Sequence, residues 1–188
     1  MTSAASTAAP AGAATAPLDP RSPKARLSAL FDAGSFTAIT ADDDSGMLAG
    51  TGRIDGSTAV AFASDPTVQG GAMGAAGCKV ILAAYARALA ESSPVIGLWH
   101  SGGARLREGV LSLHAVGRIF HVMTQASGKI PQISVVLGPA AGGAAYGPAL
   151  TDVVIMGGNG RIFVTGPEVV RSVTGEQEIG RASCRERV

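Results

Sequence analysis

The sequence predicts an α/β fold with buried strands. Three short apolar runs, at residues 58–64, 95–99 and 132–137, have the length and composition of strands. A glycine-containing loop and then a helical pattern follow each of them. Strands, loops and helices in this repeated order are typical of a sheet whose faces are covered by helices. Ligands of such folds gather at the carboxyl ends of the strands, where these glycine loops lie.

The individual elements each have a local signal. Ser22 followed by Pro23 predicts the start of a helix that ends at Gly34. Asp55-Gly56 predicts a tight hairpin turn between two strands. The other predicted elements, in chain order, are strands 46–54 and 58–64, helix 78–91, strand 95–99, helix 110–127, strand 132–137, strands 153–156 and 161–164, and a helical segment that starts at Pro167.

Composition restricts the class of protein. The chain has 188 residues, of which 46% are hydrophobic and 15% charged, and this suits one globular domain with a sizeable core. A formal net charge of +1 gives no electrostatic basis for binding nucleic acid. No apolar run is long enough for a membrane span. Cys78 and Cys184 lack metal-ligand spacing, which favours a reducing cytoplasm over a disulfide framework.

The first 18 residues consist almost entirely of Ala, Ser, Thr, Pro and Gly. They lack the basic start and the apolar stretch of a signal peptide, so we expect residues 1–18 to form a disordered tail.

The loop after the third strand contains the adjacent glycines Gly142 and Gly143. Adjacent glycines let backbone N–H groups point into a cleft, and a following helix adds the positive end of its dipole. This arrangement can stabilise an oxyanion such as an enolate. The alternative is that the glycines only allow a helix and a sheet to pack closely.

The loop after the second strand contains Ser101, Gly102, Gly103 and Arg105. Ser101 is not in a G-x-S-x-G motif, so a serine nucleophile is poorly supported, and His100 faces the other way on the strand. Arg105 either binds a phosphate or carboxylate, or pairs with the neighbouring Glu108.

The loop after the first strand contains four glycines, but their spacing is not that of a dinucleotide fingerprint, because Met73 stands two residues after Gly71. It predicts either a helix start that holds an anion or a tight connection. His114 and His121 lie seven residues apart on one helix face, but no carboxylate completes a metal site, so we expect ordinary surface or core histidines.

Four motifs occur in order: TVQGGAMGAAGCK, SPVIGLWHSGGARLREGV, IPQISVVLGPAAGGAAYGPALTDVVIM and RIFVTGPEVVRSVTGE. Together they resemble the carboxyltransferase β subunit of biotin-dependent acyl-CoA carboxylases, nearest to the actinobacterial acetyl-/propionyl-CoA carboxylase type. The resemblance covers residues 19–176. It implies a crotonase-like (ClpP/crotonase) fold, a ββα superhelix, in each of two domains. It also implies an active site between the N-terminal domain of one subunit and the C-terminal domain of another.

The resemblance implies a reaction in which carboxybiotin supplies both CO2 and the base, while the protein supplies backbone donors for enolates. Gly142 and Gly143 match the donor pair, with no assignment between the enolate of biotin and that of acetyl-CoA or propionyl-CoA. Two further sets match substrate-binding loops: Ser101, Gly102, Gly103 and Arg105 in the same site, and Gly70, Gly71, Met73 and Gly74 beside the CoA tail. The implied partners are a biotin carboxylase/biotin carrier α subunit and further β subunits in a hexamer, all in the cytoplasm.

The chain departs from the family pattern after Gln177. Residues 178–188 resemble the translation of a sequencing-library adapter, so we expect a non-biological tail, which resequencing would test. Residues 19–177 are then an incomplete N-terminal carboxyltransferase domain that we expect to be inactive alone. The alternatives are a non-catalytic CoA-binding fragment and another crotonase-fold enzyme, either an enoyl-CoA hydratase or a ClpP-like protease.

Overall fold

The computed structural model describes residues 18–165 and 167–175. The predicted tail 178–188 lies outside them, as does the predicted tail 1–18 except for residue 18. A seven-stranded sheet organises the fold, with the strand order β1-β2-β3-β4-β5-β6 and β7 also paired to β5. The strands are β1 Thr37–Ala38, β2 Met47–Ile54, β3 Ser57–Ser64, β4 Val95–Ser101, β5 Gln132–Ala141, β6 Val153–Met156 and β7 Arg161–Phe163. The helices are α1 Pro23–Leu30, α2 Ala75–Glu91, α3 Val110–Ala126, α4 Gly143–Ala149 and α5 Pro167–Thr174.

Helix α1 starts as predicted and ends early. The Ser22 side chain accepts a hydrogen bond from the Ala25 N–H at 3.3 Å, and Pro23 is the first helical residue. The helix ends at Leu30 rather than at Gly34, because Phe31 is already extended while its N–H still donates to the Leu27 carbonyl.

The sheet changes from antiparallel to parallel after the hairpin. Strands β2 and β3 pair in full antiparallel register across the Asp55-Gly56 turn, as predicted. The later pairs, from β3–β4 to β5–β6 and β5–β7, are parallel. The crossovers from β3 to β4 and from β4 to β5 each contain a long helix, α2 and α3.

Two strands extend beyond their predicted ends. Strand β4 continues to Ser101 and β5 to Ala141, because Ser101 pairs with Ala140 and the end of β5 pairs with β7. The two-residue strand β1 was not predicted from the sequence. The longer strands bring the segments that follow them, 102–105 and 142–143, to one edge of the sheet.

Helices α2 and α3 cover one face of the sheet, and α1 covers part of the other. On the first face, Trp99 packs edge-on against Phe62, with ring centroids 5.2 Å apart. Its indole N–H donates to the Ser134 hydroxyl at 2.9 Å, which satisfies a buried donor. On the second face, Leu27 and Phe31 of α1 pack against β2, β3 and β4. Among the described residues, no helix is both long and apolar enough to cross a membrane.

Candidate functional site

The loops that follow β3 and β4 form one hydrogen-bonded unit. The Gly102 N–H donates to the Gly70 carbonyl at 3.0 Å, and the Met73 N–H donates to the Gly103 carbonyl at 2.7 Å. The Arg105 N–H completes the pairing by donating to the Met73 carbonyl at 3.0 Å. The first two glycine loops predicted from the sequence are therefore adjacent in space and held by backbone bonds.

Gly103 connects this unit to the third loop. Its φ is +100°, a region that residues with a side chain rarely adopt. A Cβ at this position would lie 2.7 Å from the Ala141 carbonyl oxygen and 3.6 Å from the Gly143 nitrogen. The structure thus brings all three glycine loops together, with Gly103 packed directly against the end of β5.

The predicted donor pair is only half available in this structure. The Gly142 N–H donates to the Phe163 carbonyl at 3.0 Å, where β5 pairs with β7. The Gly143 N–H has no acceptor among the described residues, and Gly143 is partly exposed. Ala144 is fully buried. Gly143 is therefore the open backbone donor of this loop, and a joint role for Gly142 requires Phe163 to release it.

Ser101 and His100 do not form a nucleophile–base pair. Ser101 is fully buried, and its hydroxyl accepts a hydrogen bond from the Gly103 N–H at 3.2 Å. The His100 ring contacts Gly138 and accepts at Nδ1 from the Arg26 guanidinium, 3.2 Å away. Burial, and secondly the charge of Arg26, lowers the pKa of His100. This geometry argues against a ClpP-like protease.

Arg105 makes three contacts within the protein. Its Nε donates to the Ala72 carbonyl at 2.9 Å, and its Nη2 donates to the Ser45 carbonyl at 2.7 Å. Its Nη1 lies 3.7 Å from the Glu108 carboxylate, and the side chain is only 12% exposed. Of the two alternatives that the sequence left open, the structure has the pair with Glu108, and the guanidinium is not directed at open solvent.

Glu108 has a role that the sequence did not reveal. Its Oε2 accepts a hydrogen bond from the Ala75 N–H, the first residue of α2, at 2.7 Å. Gly74, the residue before that helix, has no side chain to do this. Glu108 is therefore engaged in structure, which argues against the positioned free carboxylate that an enoyl-CoA hydratase needs.

Site residues from the first two loops differ in access. Gly70 and Gly102 are exposed, whereas Gly71, Met73 and Gly74 are buried, and Met73 belongs to the hydrophobic core. Cys78 near the start of α2 is buried too. Burial, and secondly the Glu108 charge, raises the pKa of its thiol to about 11, so the thiol is protonated and unreactive at neutral pH.

His114 and His121 are exposed, as expected. Within the described part of the chain, no group of three or more His, Cys, Asp or Glu side chains is arranged to hold a metal ion. The three loops present backbone donors rather than metal ligands or side-chain acids.

Comparison with protein families matches residues 23–183 to the carboxyl transferase domain. The match runs into the segment 178–188, whose proposed adapter origin stays a prediction. The chain is 65% identical over 159 residues to the propionyl-CoA carboxylase beta chain of Rhodococcus erythropolis, covering 85% of this chain and 33% of that one. It is 61% identical, over the same length, to the biotin-dependent acetyl-/propionyl-coenzyme A carboxylase beta6 subunit of Mycobacterium tuberculosis, covering 34% of that protein.

Solved structures show the same fold. Transcarboxylase 12S, a hexamer solved with methylmalonyl-coenzyme A bound, matches with a TM-score of 0.80 at 35% identity, covering 85% of this chain and 34% of that one. A Pseudomonas malonate decarboxylase hetero-dimer matches with a TM-score of 0.76 at 29% identity, covering 84% of this chain and 71% of that one. These neighbours confirm the expected crotonase-like fold class. The chain spans about a third of the length of the curated relatives named here.

Proposed function

Because the chain belongs to the carboxyl transferase domain family, we propose that it is the acyl-CoA side of a biotin-dependent carboxyltransferase. The reaction is transfer of CO2 from carboxybiotin, on a separate carrier chain, to the α-carbon of acetyl-CoA or propionyl-CoA. One observation supports placing this reaction at a particular site: the three glycine loops meet beside the Gly143 N–H, which has no acceptor among the described residues.

The residues present fit this cofactor. Carboxybiotin, when bound, supplies the CO2 and the base. The chain then needs to bind an anionic oxygen rather than move a proton, and the loops offer a backbone donor and no free carboxylate, since Glu108 is engaged. The Gly143 N–H is the group that we assign to that oxygen. Gly70 and Gly102, both exposed, lie along the path that we assign to the acyl-CoA chain.

Two exposed apolar surfaces indicate that this domain packs against other parts of an assembly. The first surface is at the start of α3, where Leu106 and Val110 are 84% and 78% exposed. The second is the edge strand β6, all four of whose side chains are exposed. Exposed apolar side chains that are grouped in this way are typical of surfaces that pack against a partner. We propose that these surfaces belong to a hexameric assembly of β subunits with a biotin carboxylase/biotin carrier α subunit.

Binding and turnover test the proposal separately. We expect the purified 188-residue chain to bind propionyl-CoA or acetyl-CoA in calorimetry without forming methylmalonyl-CoA or malonyl-CoA from carboxylated carrier protein. Gly143→Ala keeps the backbone N–H, but its Cβ would meet Val116 at 3.0 Å and so displace this donor. One net hydrogen bond is worth about 1 kcal/mol, so its loss should weaken binding roughly fivefold. Gly158→Ala, in open space, is the matched control. Hydration of crotonyl-CoA, or no acyl-CoA affinity at all, would contradict the proposal.

A further inference from the structure

We propose that Arg105 and Glu108 are positioning residues that clamp the glycine loops of the site. In this clamp the Glu108 carboxylate is a built-in anion at the N-terminus of α2. The inference deepens the proposed function and rests on it, because the loops that the clamp holds are those assigned to acyl-CoA and to the oxyanion.

Glu108 fills a position that α2 cannot fill locally. The first N–H groups of a helix lack intrahelical acceptors, and Gly74 offers no side-chain cap. The carboxylate that bonds the Ala75 N–H comes from 33 positions further along the chain. A negative charge there also interacts favourably with the helix dipole. A Cβ at Gly74 would overlap this carboxylate and lie 2.8 Å from the Arg105 Cδ, so both side chains would have to shift.

Arg105 ties the same carboxylate to two other segments. Its guanidinium reaches the carbonyls of Ala72 and Ser45 while it stays near Glu108. A planar guanidinium with several donors suits such a three-way contact better than a lysine would. Two loops and the turn before β2 are therefore joined through one cation.

The clamp acts on the site through Gly103. The Met73 N–H donates to the Gly103 carbonyl at 2.7 Å, and the Met73 carbonyl accepts from the Arg105 N–H at 3.0 Å. Gly103 in turn packs on the Ala141 carbonyl, next to Gly143. A shift of the Arg105–Glu108 pair would therefore move the surface against which the open Gly143 donor rests.

The rival interpretation is that an external anion, such as a ligand phosphate, belongs at the N-terminus of α2 and that Glu108 only occupies its place. The two interpretations predict opposite effects of removing Glu108 on acyl-CoA binding. If Glu108 is a clamp, its removal loosens the loops and weakens acyl-CoA binding. If Glu108 competes with a ligand anion, its removal strengthens acyl-CoA binding.

Amide hydrogen exchange without ligand tests the clamp directly. The reporters are the bonded N–H groups of Met73, Gly102 and Arg105, and a strand amide such as Val136 reports global opening. A lost charged hydrogen bond is worth about 1.5 kcal/mol, so Glu108→Ala should speed exchange of the reporters roughly tenfold. Glu108→Gln keeps a hydrogen-bond acceptor, so it should speed exchange of the reporters much less. Glu91→Ala breaks an exposed ion pair with Arg87 at the far end of α2 and should change none of them.

A second pair of variants covers the case in which Glu108→Ala alone unfolds. Gly74→Ala should lower the stability of the wild-type chain, because its Cβ overlaps the Glu108 carboxylate. In the Glu108→Ala background the same substitution should lower stability less. Strictly additive effects would overturn the clamp. Unchanged exchange at the reporters, or tighter propionyl-CoA binding by Glu108→Ala, would do so as well. Since exchange is measured without ligand, a wild-type chain that fails to bind acyl-CoA contradicts the proposed function and leaves the clamp result standing.

Discussion

Gly103→Ala is the substitution that most directly tests how the three loops fit together. Gly103 has a φ of +100° and lies against the end of β5. An added Cβ would be 2.7 Å from the Ala141 carbonyl oxygen, which belongs to the backbone and cannot rotate away. Either the backbone of the 101–105 loop or the end of β5 has to move.

Two costs contribute to the expected loss of stability. A non-glycine residue held in a sparsely populated φ region costs about 1–3 kcal/mol. Overpacking against a fixed neighbour costs about 1–3 kcal/mol more. We therefore expect Gly103→Ala to lower the free energy of unfolding by about 4 kcal/mol, which is a large part of the roughly 5–15 kcal/mol that holds a typical domain folded.

Urea unfolding measures this loss, and Gly102→Ala is the control. Gly102 is the neighbouring residue, but a Cβ there meets nothing closer than 3.8 Å and its φ is not positive. With a urea slope of about 2 kcal/mol per molar, the Gly103→Ala midpoint should fall by roughly 2 M, while that of Gly102→Ala stays close to wild type. Equal midpoints for the two variants would refute the packing of Gly103 against β5 on which the site rests.

Three other predictions concern the His100 pKa and the stability of α3. The folded state lowers the pKa of His100 below its ordinary 6.5, so the folded state favours the neutral ring, and stability should fall as pH drops below about 6.5. Arg26→Met should recover only part of the shift in an NMR titration of His100, because burial is its first cause; full recovery would contradict this order. Gly117→Ala, inside α3 with open space around its Cα, should raise the free energy of unfolding by about 1 kcal/mol in thermal or urea unfolding, and a loss would contradict the structure there.

Local signals predicted those elements that local chemistry determines. Ser22 and Pro23 start α1, and Asp55-Gly56 turns the hairpin, because each preference acts within a few residues. The ends of β4 and β5 were missed, since neither His100-Ser101 nor the Gly-Pro-Ala-Ala run at 138–141 has a strong strand preference of its own. Their extended conformation depends on pairing with each other and with β7, which lies about 20 residues further along the chain.

The site shows the same division between local and distant causes. The sequence places glycines before both α2 and α4, and in each case an anion at the helix start was a reasonable prediction. Distant residues decide the outcome: the Glu108 carboxylate fills the start of α2, and the Phe163 carbonyl takes the Gly142 N–H before α4. The Gly143 N–H keeps no acceptor among the described residues, and Gly143 is partly exposed. A glycine-rich helix start therefore identifies an oxyanion site only after its donors have been matched to the acceptors that the rest of the fold supplies, and here that matching selects Gly143 over Gly142.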